Sequence, residues 1–159
     1  MQNQAPDLFD KFLRIIDTIN RYDVEYVVIG GVAMISHGMP RLTQDLDLLI
    51  KLTKDNVDKL RNALSDIYND DEIKEITYAE LQKYSVIRYG TPDGFYLDIM
   101  VRIGEAADYY SIKRENKKIE GVVIQLASAE SLFKLKKDTV RPEDKRDALF
   151  LLKLLEARK

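Results

Sequence analysis

Two aspartates, Asp45 and Asp47, stand one residue apart in "DLDLLIKL". Strand side chains alternate between faces, so both carboxylates point the same way, about 7 Å apart along the chain. Leu46 and Leu48 point the other way. Aspartate is depleted in strands, and like charges on one face repel. A solvent-facing edge strand tolerates this, but "DLDLLI" becomes fully apolar, as an interior strand does. A third carboxylate, Asp98, sits in "FYLDIMV", otherwise apolar or aromatic. A lone buried carboxylate is costly unless paired or bound to a cation. Three on neighbouring strands of one sheet can converge on divalent cations. The chain has no cysteine and a single histidine. Its oxygen-only donors therefore favour Mg²⁺ or Mn²⁺ over zinc. Such cations, with phosphate and water completing the shell, serve phosphoryl transfer. An Asp-x-Asp pair alone is more often solvated or helix-capping, so its meaning depends on what surrounds it.

Upstream, the apolar run "EYVVIG" ends at Gly30-Gly31. Glycine permits a tight turn and close backbone approach. The first turn of a helix leaves amide N–H groups free, which suits an anion. A strand-to-helix turn without a ligand explains the pair equally well. No Gly-Lys-Ser/Thr follows, so this is not a P-loop, and the dinucleotide fingerprint G-x-G-x-x-G is missing.

The elements that must hold these groups are legible in outline. Residues 7–21 space Leu8, Phe12, Ile15, Ile16 and Ile19 as an amphipathic helix. Residues 25–30 read as a buried strand, 31–38 as a short helix, "MPRLT" as a loop and 45–52 as a second strand. A helix is expected at about 54–68. Residues 70–83 are ambiguous, with a short strand around Glu72–Thr77 and then a helical turn. "SVIRYGTPDGFYLDIMVRI" is the clearest hairpin, since Pro-Asp-Gly is strong turn chemistry. Residues 105–115 read as helical and "KKIEGVVIQLA" as a further strand. Ser128 caps a helix to about 138, and a last helix spans about 142–157. The alternation predicts a mixed sheet with helices against it.

Bulk composition bounds the class. The 159 residues fit one domain, and 45% hydrophobic residues suffice for a core. No apolar run is long enough for a membrane span, and "MQNQAPDLFDKF" lacks the order of a signal peptide. A cytoplasmic location is the default expectation. The net charge of −2 does not announce a nucleic-acid binder. Residues 1–100 carry −6 and residues 101–159 carry +4. Solvated helix faces explain this split; the sharper reading is an acidic metal site facing basic phosphate-holding groups.

The apolar strand, Gly-Gly, short helix, Arg-x-Thr-x-Asp-x-Asp (Arg41 to Asp47) and later strand aspartate together resemble the nucleotidyltransferase (polymerase-beta-like) superfamily. The closer likeness is to small bacterial nucleotidyltransferases related to abortive-infection toxins and to minimal antibiotic nucleotidyltransferases. Lys136, Arg141, Pro142, Asp144 and Asp147 in "SLFKLKKDTVRPEDKRDALFLLKLL" extend it. It covers about residues 25–50, 94–102 and 128–155. The resemblance implies an α+β (mixed α/β) nucleotidyltransferase fold: a mixed β-sheet with flanking helices and a C-terminal helical pair. One domain would span 1–159, with its core at about 22–126 and the C-terminal helices at about 128–157.

The resemblance also implies roles. Gly30 and Gly31 would hold the triphosphate of an NTP, ATP among the candidates. Asp45 and Asp47 would bind two Mg²⁺ or Mn²⁺ ions. Asp98 would complete the metal site and help deprotonate the attacking hydroxyl. Arg41 and Thr43 would orient the loop or touch phosphate. Lys136 and Arg141 would reach the nucleotide or brace the C-terminal helices, and Asp144 and Asp147 would be helix-start carboxylates. Some relatives carry serine at the position of Gly31, which offers only its backbone N–H.

The expected activity is metal-dependent transfer of an NMP from an NTP to a hydroxyl, with release of pyrophosphate. The acceptor would be RNA, protein or a small molecule. Only about 30 residues follow the last strand, too few for the second helical domain common in antibiotic-modifying relatives. This favours RNA or protein, or a pocket completed by a second subunit. A toxin with an antitoxin partner, or a homodimer, fits this reading. The alternative is a non-catalytic nucleotide-binding or protein-interaction module on the same fold. His37, Tyr109-Tyr110 and the basic run 113–118 are discounted as structural or solvated.

Overall fold

The computed structural model describes residues 7–105 and 107–159. Residues 1–6, read above as lacking a signal peptide, and Ala106 lie outside it. Helix α1 (Leu8–Arg21) buries Phe12, Leu13, Ile15, Ile16 and Ile19 along one stripe. Asp7 caps it, its carboxylate accepting the Asp10 N–H at 2.8 Å. Strand β1 (Tyr26–Ile29) is buried at every position and runs directly into α2 (Gly30–Ser36). Strand β2 (Asp45–Ile50) leads to α3 (Lys54–Ile67), capped by Thr53. A 3-10 turn (Asp71–Glu75) and α4 (Tyr78–Tyr84) precede the hairpin of β3 (Val86–Gly90) and β4 (Tyr96–Met100). The small pair β5 (Arg102–Ile103) and β6 (Ala107–Asp108) follows. Next come β7 (Arg114–Ile119), β8 (Val122–Ala127), α5 (Ala129–Lys136) and α6 (Pro142–Ala157).

Six strands form one mixed sheet in the order β3-β4-β2-β1-β8-β7. β2 is antiparallel to β1 and parallel to β4; β1 is parallel to β8, and the two outer hairpins are antiparallel. "DLDLLI" is therefore an interior strand, and its apolar half is fully buried. Asn56 on α3 is buried and serves as a polar clamp. It accepts from the Glu25 N–H at 2.7 Å and donates to the carbonyls of Glu25 (2.9 Å) and Lys51 (2.8 Å). The hairpin tip is held from two sides. Phe95 packs edge-on against Phe12 at 4.9 Å, and the Tyr68 hydroxyl donates to Asp93 at 2.7 Å.

Three stretches depart from expectation. The strand around 72–77 is a 3-10 turn followed by α4. Asp70 accepts from the Glu72 N–H and Thr77 from the Glu80 N–H, both at 3.1 Å, so side-chain caps win over extended pairing. The helix expected over 105–115 is absent among the described residues there. Asp108 accepts the N–H groups of Tyr110 and Ser111, each at 3.0 Å, which closes a turn after β6. The strand read from "KKIEGVVIQLA" is a hairpin. Glu120 and Gly121 both take positive φ, +49° and +82°, as a two-residue turn of the primed kind requires. The basic run 113–118, read as a solvated loop, is the outer strand β7.

Candidate active site

Strand register builds a row of side chains across four strands. Ile29 of β1 pairs with Asp47 of β2, Asp47 with Asp98 of β4, and Asp98 with Arg88 of β3. Asp45 lies two residues back on the same face, opposite Tyr96. Gly30, directly after Ile29, makes room for this row. Its φ is +70°, and a Cβ there would lie 2.0 Å from Asp47 Oδ2. Only glycine meets both demands. Gly31 is equally confined, since a Cβ would stand 2.7 Å from Thr43 Oγ1. A serine at this position would need Thr43 to move. The Thr43 hydroxyl donates to the Asp45 carbonyl at 3.2 Å, pinning the entry to β2.

Crowding dominates the electrostatics. Burial, then the neighbouring Asp98 carboxylate and Asp45, push the Asp47 carboxyl up to about 7. One guanidinium offsets part of this charge. Arg88 donates to Asp45 Oδ1 at 3.1 Å, and its Nε lies 3.5 Å from Asp98 Oδ1. The same guanidinium stacks on the Tyr96 ring, 3.9 Å from its centroid. Among the described residues no three carboxylate or imidazole side chains stand ready to enclose an ion. Two of the three carboxylates are turned onto Arg88 instead. The donor set nevertheless fits a hard cation: three carboxylates on adjacent strands, with Asp47 burdened by uncompensated negative charge.

A second charged cluster faces the row across a cleft of about 350 Å³. One Arg41 nitrogen, Nη1, donates to both oxygens of Asp147 at 2.7 and 2.6 Å. Lys136 donates to Asp147 at 2.7 Å and to Asp144 at 3.2 Å. Arg141 pairs with Glu143 and approaches Asp144 at 3.7 Å. Asp144 lies in the first turn of α6, as expected. Asp147 lies a turn further in, 1% exposed, and anchors two cations rather than a helix start.

Gly30, Gly31, Arg41, Thr43, Asp45, Asp47, Lys136 and Arg141 all line the cleft. Asp98 does not; it stands beside Asp47 on the far side from the cleft wall. Arg88 and Tyr96 escaped the sequence reading, although the "GTPDG" turn fixes the register that sets Arg88 opposite Asp98. His37 is buried away from this cleft, with Nε2 bonded to the Ala127 carbonyl at 2.9 Å, a packing role.

The mixed sheet with its flanking helices is a nucleotidyltransferase fold, shared with several solved structures. The structure is similar to the lincomycin-bound lincosamide antibiotic adenylyltransferase LnuA, with TM-score 0.62, 16% identity, and 94% of this chain and 98% of that one covered. It is similar to ANT(2")-Ia in complex with adenylyl-2"-tobramycin, with TM-score 0.54, 13% identity and coverage of 94% and 90%. An antigenic nucleotidyltransferase-like protein from Paracoccidioides brasiliensis gives TM-score 0.53, 17% identity and coverage of 94% and 79%. At these identities the likeness shows the fold. Residues 12–143 match the family model "Nucleotidyl transferase AbiEii toxin, Type IV TA system", and the chain belongs to that family. No curated protein matches it significantly. Among the described residues no helix is long and apolar enough to cross a membrane.

Proposed function

We propose that the protein is a Mg²⁺- or Mn²⁺-dependent nucleotidyltransferase that moves an NMP from an NTP to an acceptor hydroxyl. The observation that carries this reading is the in-register pair Asp47–Asp98 beside Gly30, whose missing Cβ leaves the space Asp47 fills. Asp45 and Asp47 would hold the cation, and Asp98 would complete its shell. A divalent cation bound there neutralises the triphosphate's charge. The triphosphate lies in the cleft, against the backbone N–H groups of Gly30 and Gly31. Lys136 and Arg141 stand at the other wall, where phosphate oxygens can share them with Asp144 and Glu143. Arg41 and Thr43 hold the loop entering β2.

In-line displacement sets the direction of attack. The acceptor enters from the β3–β4 side, opposite the cleft that holds the leaving group. Asp98 accepts the hydroxyl proton, the acceptor oxygen bonds to the α-phosphorus, and the bond to the β-phosphate oxygen breaks. Pyrophosphate leaves through the cleft. The acceptor is RNA, protein or a small molecule, and family membership favours an antitoxin partner. Chain length no longer argues against a small acceptor. The match to the lincosamide adenylyltransferase covers 98% of that protein, so a compact chain of this shape can serve one.

The test is incubation with each α-labelled NTP, Mg²⁺, and total RNA or protein, following transfer of label. Transfer that persists in Asp47→Asn sinks the cation-site assignment. Absence of transfer with every NTP, with nucleotide binding intact, favours a non-catalytic nucleotide-binding or protein-interaction module.

A further inference from the structure

We propose that Arg88 is a built-in counter-cation of the carboxylate cluster, which competes with the divalent cation for Asp45 and Asp98 and thereby sets its affinity. This inference rests on the reading of Asp45, Asp47 and Asp98 as the cation ligands.

The register is what places Arg88. Its β3 position pairs directly with Asp98, so the side chain rises on the carboxylate face of the sheet. A planar guanidinium can span two carboxylates that stand too far apart to share one ammonium. Arg88 does so, with its NH2 group on Asp45 and its Nε near Asp98. Each acid commits its Oδ1 to Arg88, while Asp98 also stays within hydrogen-bond reach of Asp47. Lys136, the cation whose charge acts on Asp47, cannot take over the task, because Asp144 and Asp147 hold its ammonium.

Arg88 is also free to leave. Its side chain is 53% exposed, on a strand at the edge of the sheet. The contact with Asp45 and Asp98 is therefore screened and weak. The Tyr96 ring, 47% exposed, gives the guanidinium a resting surface that does not depend on the carboxylates. A divalent ion arriving among the three acids brings twice the charge of Arg88 and repels it. Binding of the ion therefore includes the work of releasing Arg88, and removing Arg88 removes that work. Arg88 acts on the reaction through the carboxylates and is a positioning residue.

The test is Mn²⁺ binding by the full chain without nucleotide, read from the electron spin resonance of free Mn²⁺. Wild type is compared with Arg88→Gln, Arg88→Lys and Arg102→Gln. Arg102 hydrogen-bonds Ser85, the residue that ends α4 just before β3, and controls for net charge. Arg88→Gln is expected to bind Mn²⁺ about fivefold tighter, from the removed charge and competition. Arg88→Lys should fall between wild type and Arg88→Gln, since an ammonium reaches one carboxylate at a time. Arg102→Gln should stay within about twofold of wild type. The metal-free thermal midpoint of Arg88→Gln should fall, and the gap should close at saturating Mn²⁺. A merely structural arginine would leave that gap open and the Mn²⁺ affinity unchanged, and either result overturns the proposal. Failure of wild type and Arg88→Gln alike to bind Mn²⁺ overturns the carboxylate-site reading as well. Unequal success of these two proteins keeps the two claims apart.

Discussion

Asp47 is where the chemistry and the stability of the protein pull against each other. Its carboxyl is raised in the fold relative to the ordinary carboxylate value. The protonated form is therefore the one the fold favours. The stability this contributes is full below about pH 4 and is lost as pH rises through about 7. Asp47→Asn is neutral at every pH, so it should raise the metal-free stability at pH 8 by roughly 1–3 kcal/mol. The gain should shrink toward pH 5, and nucleotide transfer should be abolished. Denaturant midpoints of both proteins at the two pH values check the sign. Gly30→Ala tests the space beside this carboxylate. A methyl group would meet Asp47 Oδ2 and would force alanine into a left-handed backbone. A loss of roughly 2–4 kcal/mol in stability, together with transfer, is expected from urea unfolding and label assays. These residues were legible because a period of two exposes a polar residue in an apolar strand. Arg88 was not, because an exposed arginine on an edge strand is ordinary, and its meaning comes only from the carboxylate that the hairpin register sets opposite it.

Among the elements, the central strands follow from apolar runs bounded by glycine, and α1, α3 and α6 follow from helical spacing. The elements that were misread are those whose backbone is governed by a local feature, a side-chain bond or a turn with positive φ. Asp108 closes a turn where periodicity suggested a helix, and Glu120-Gly121 folds one apparent strand into a hairpin. Asn56 carries the least legible of the structural tasks, because its three partners are backbone groups of two distant segments. Asn56→Ala leaves one N–H and two carbonyls without their side-chain partner. It should cost roughly 2–4 kcal/mol. Hydrogen exchange should report the loss at Glu25 and along the start of β1, while the residual folded protein keeps its nucleotide affinity.

The whole molecule is closed by charge as much as by its apolar core. The contrast between acidic residues 1–100 and basic residues 101–159 left two readings open, solvated helix faces or an acidic site facing basic groups. Across the cleft the two parts are also tied together: Arg41 of the first is held by Asp147 of the second, and Lys136 shares the same carboxylate. This knot joins α6 to the loop entering β2, and so joins the C-terminal helices to the candidate site. Asp147→Ala strands two partly buried cations and should cost roughly 3–5 kcal/mol. Thermal unfolding checks this. Asp147→Asn should recover only part of the loss, since it keeps the shape without the charge.

The central claim is that the cleft and its carboxylates direct attack at the α-phosphorus. Its most direct measurement pairs α-labelled with γ-labelled NTP in the presence of Mg²⁺ and acceptor. The α-label should join the acceptor with one pyrophosphate released per transfer, and chelation or Asp47→Asn should stop both. Incorporation of the γ-label, or transfer that is indifferent to Asp47, would contradict it.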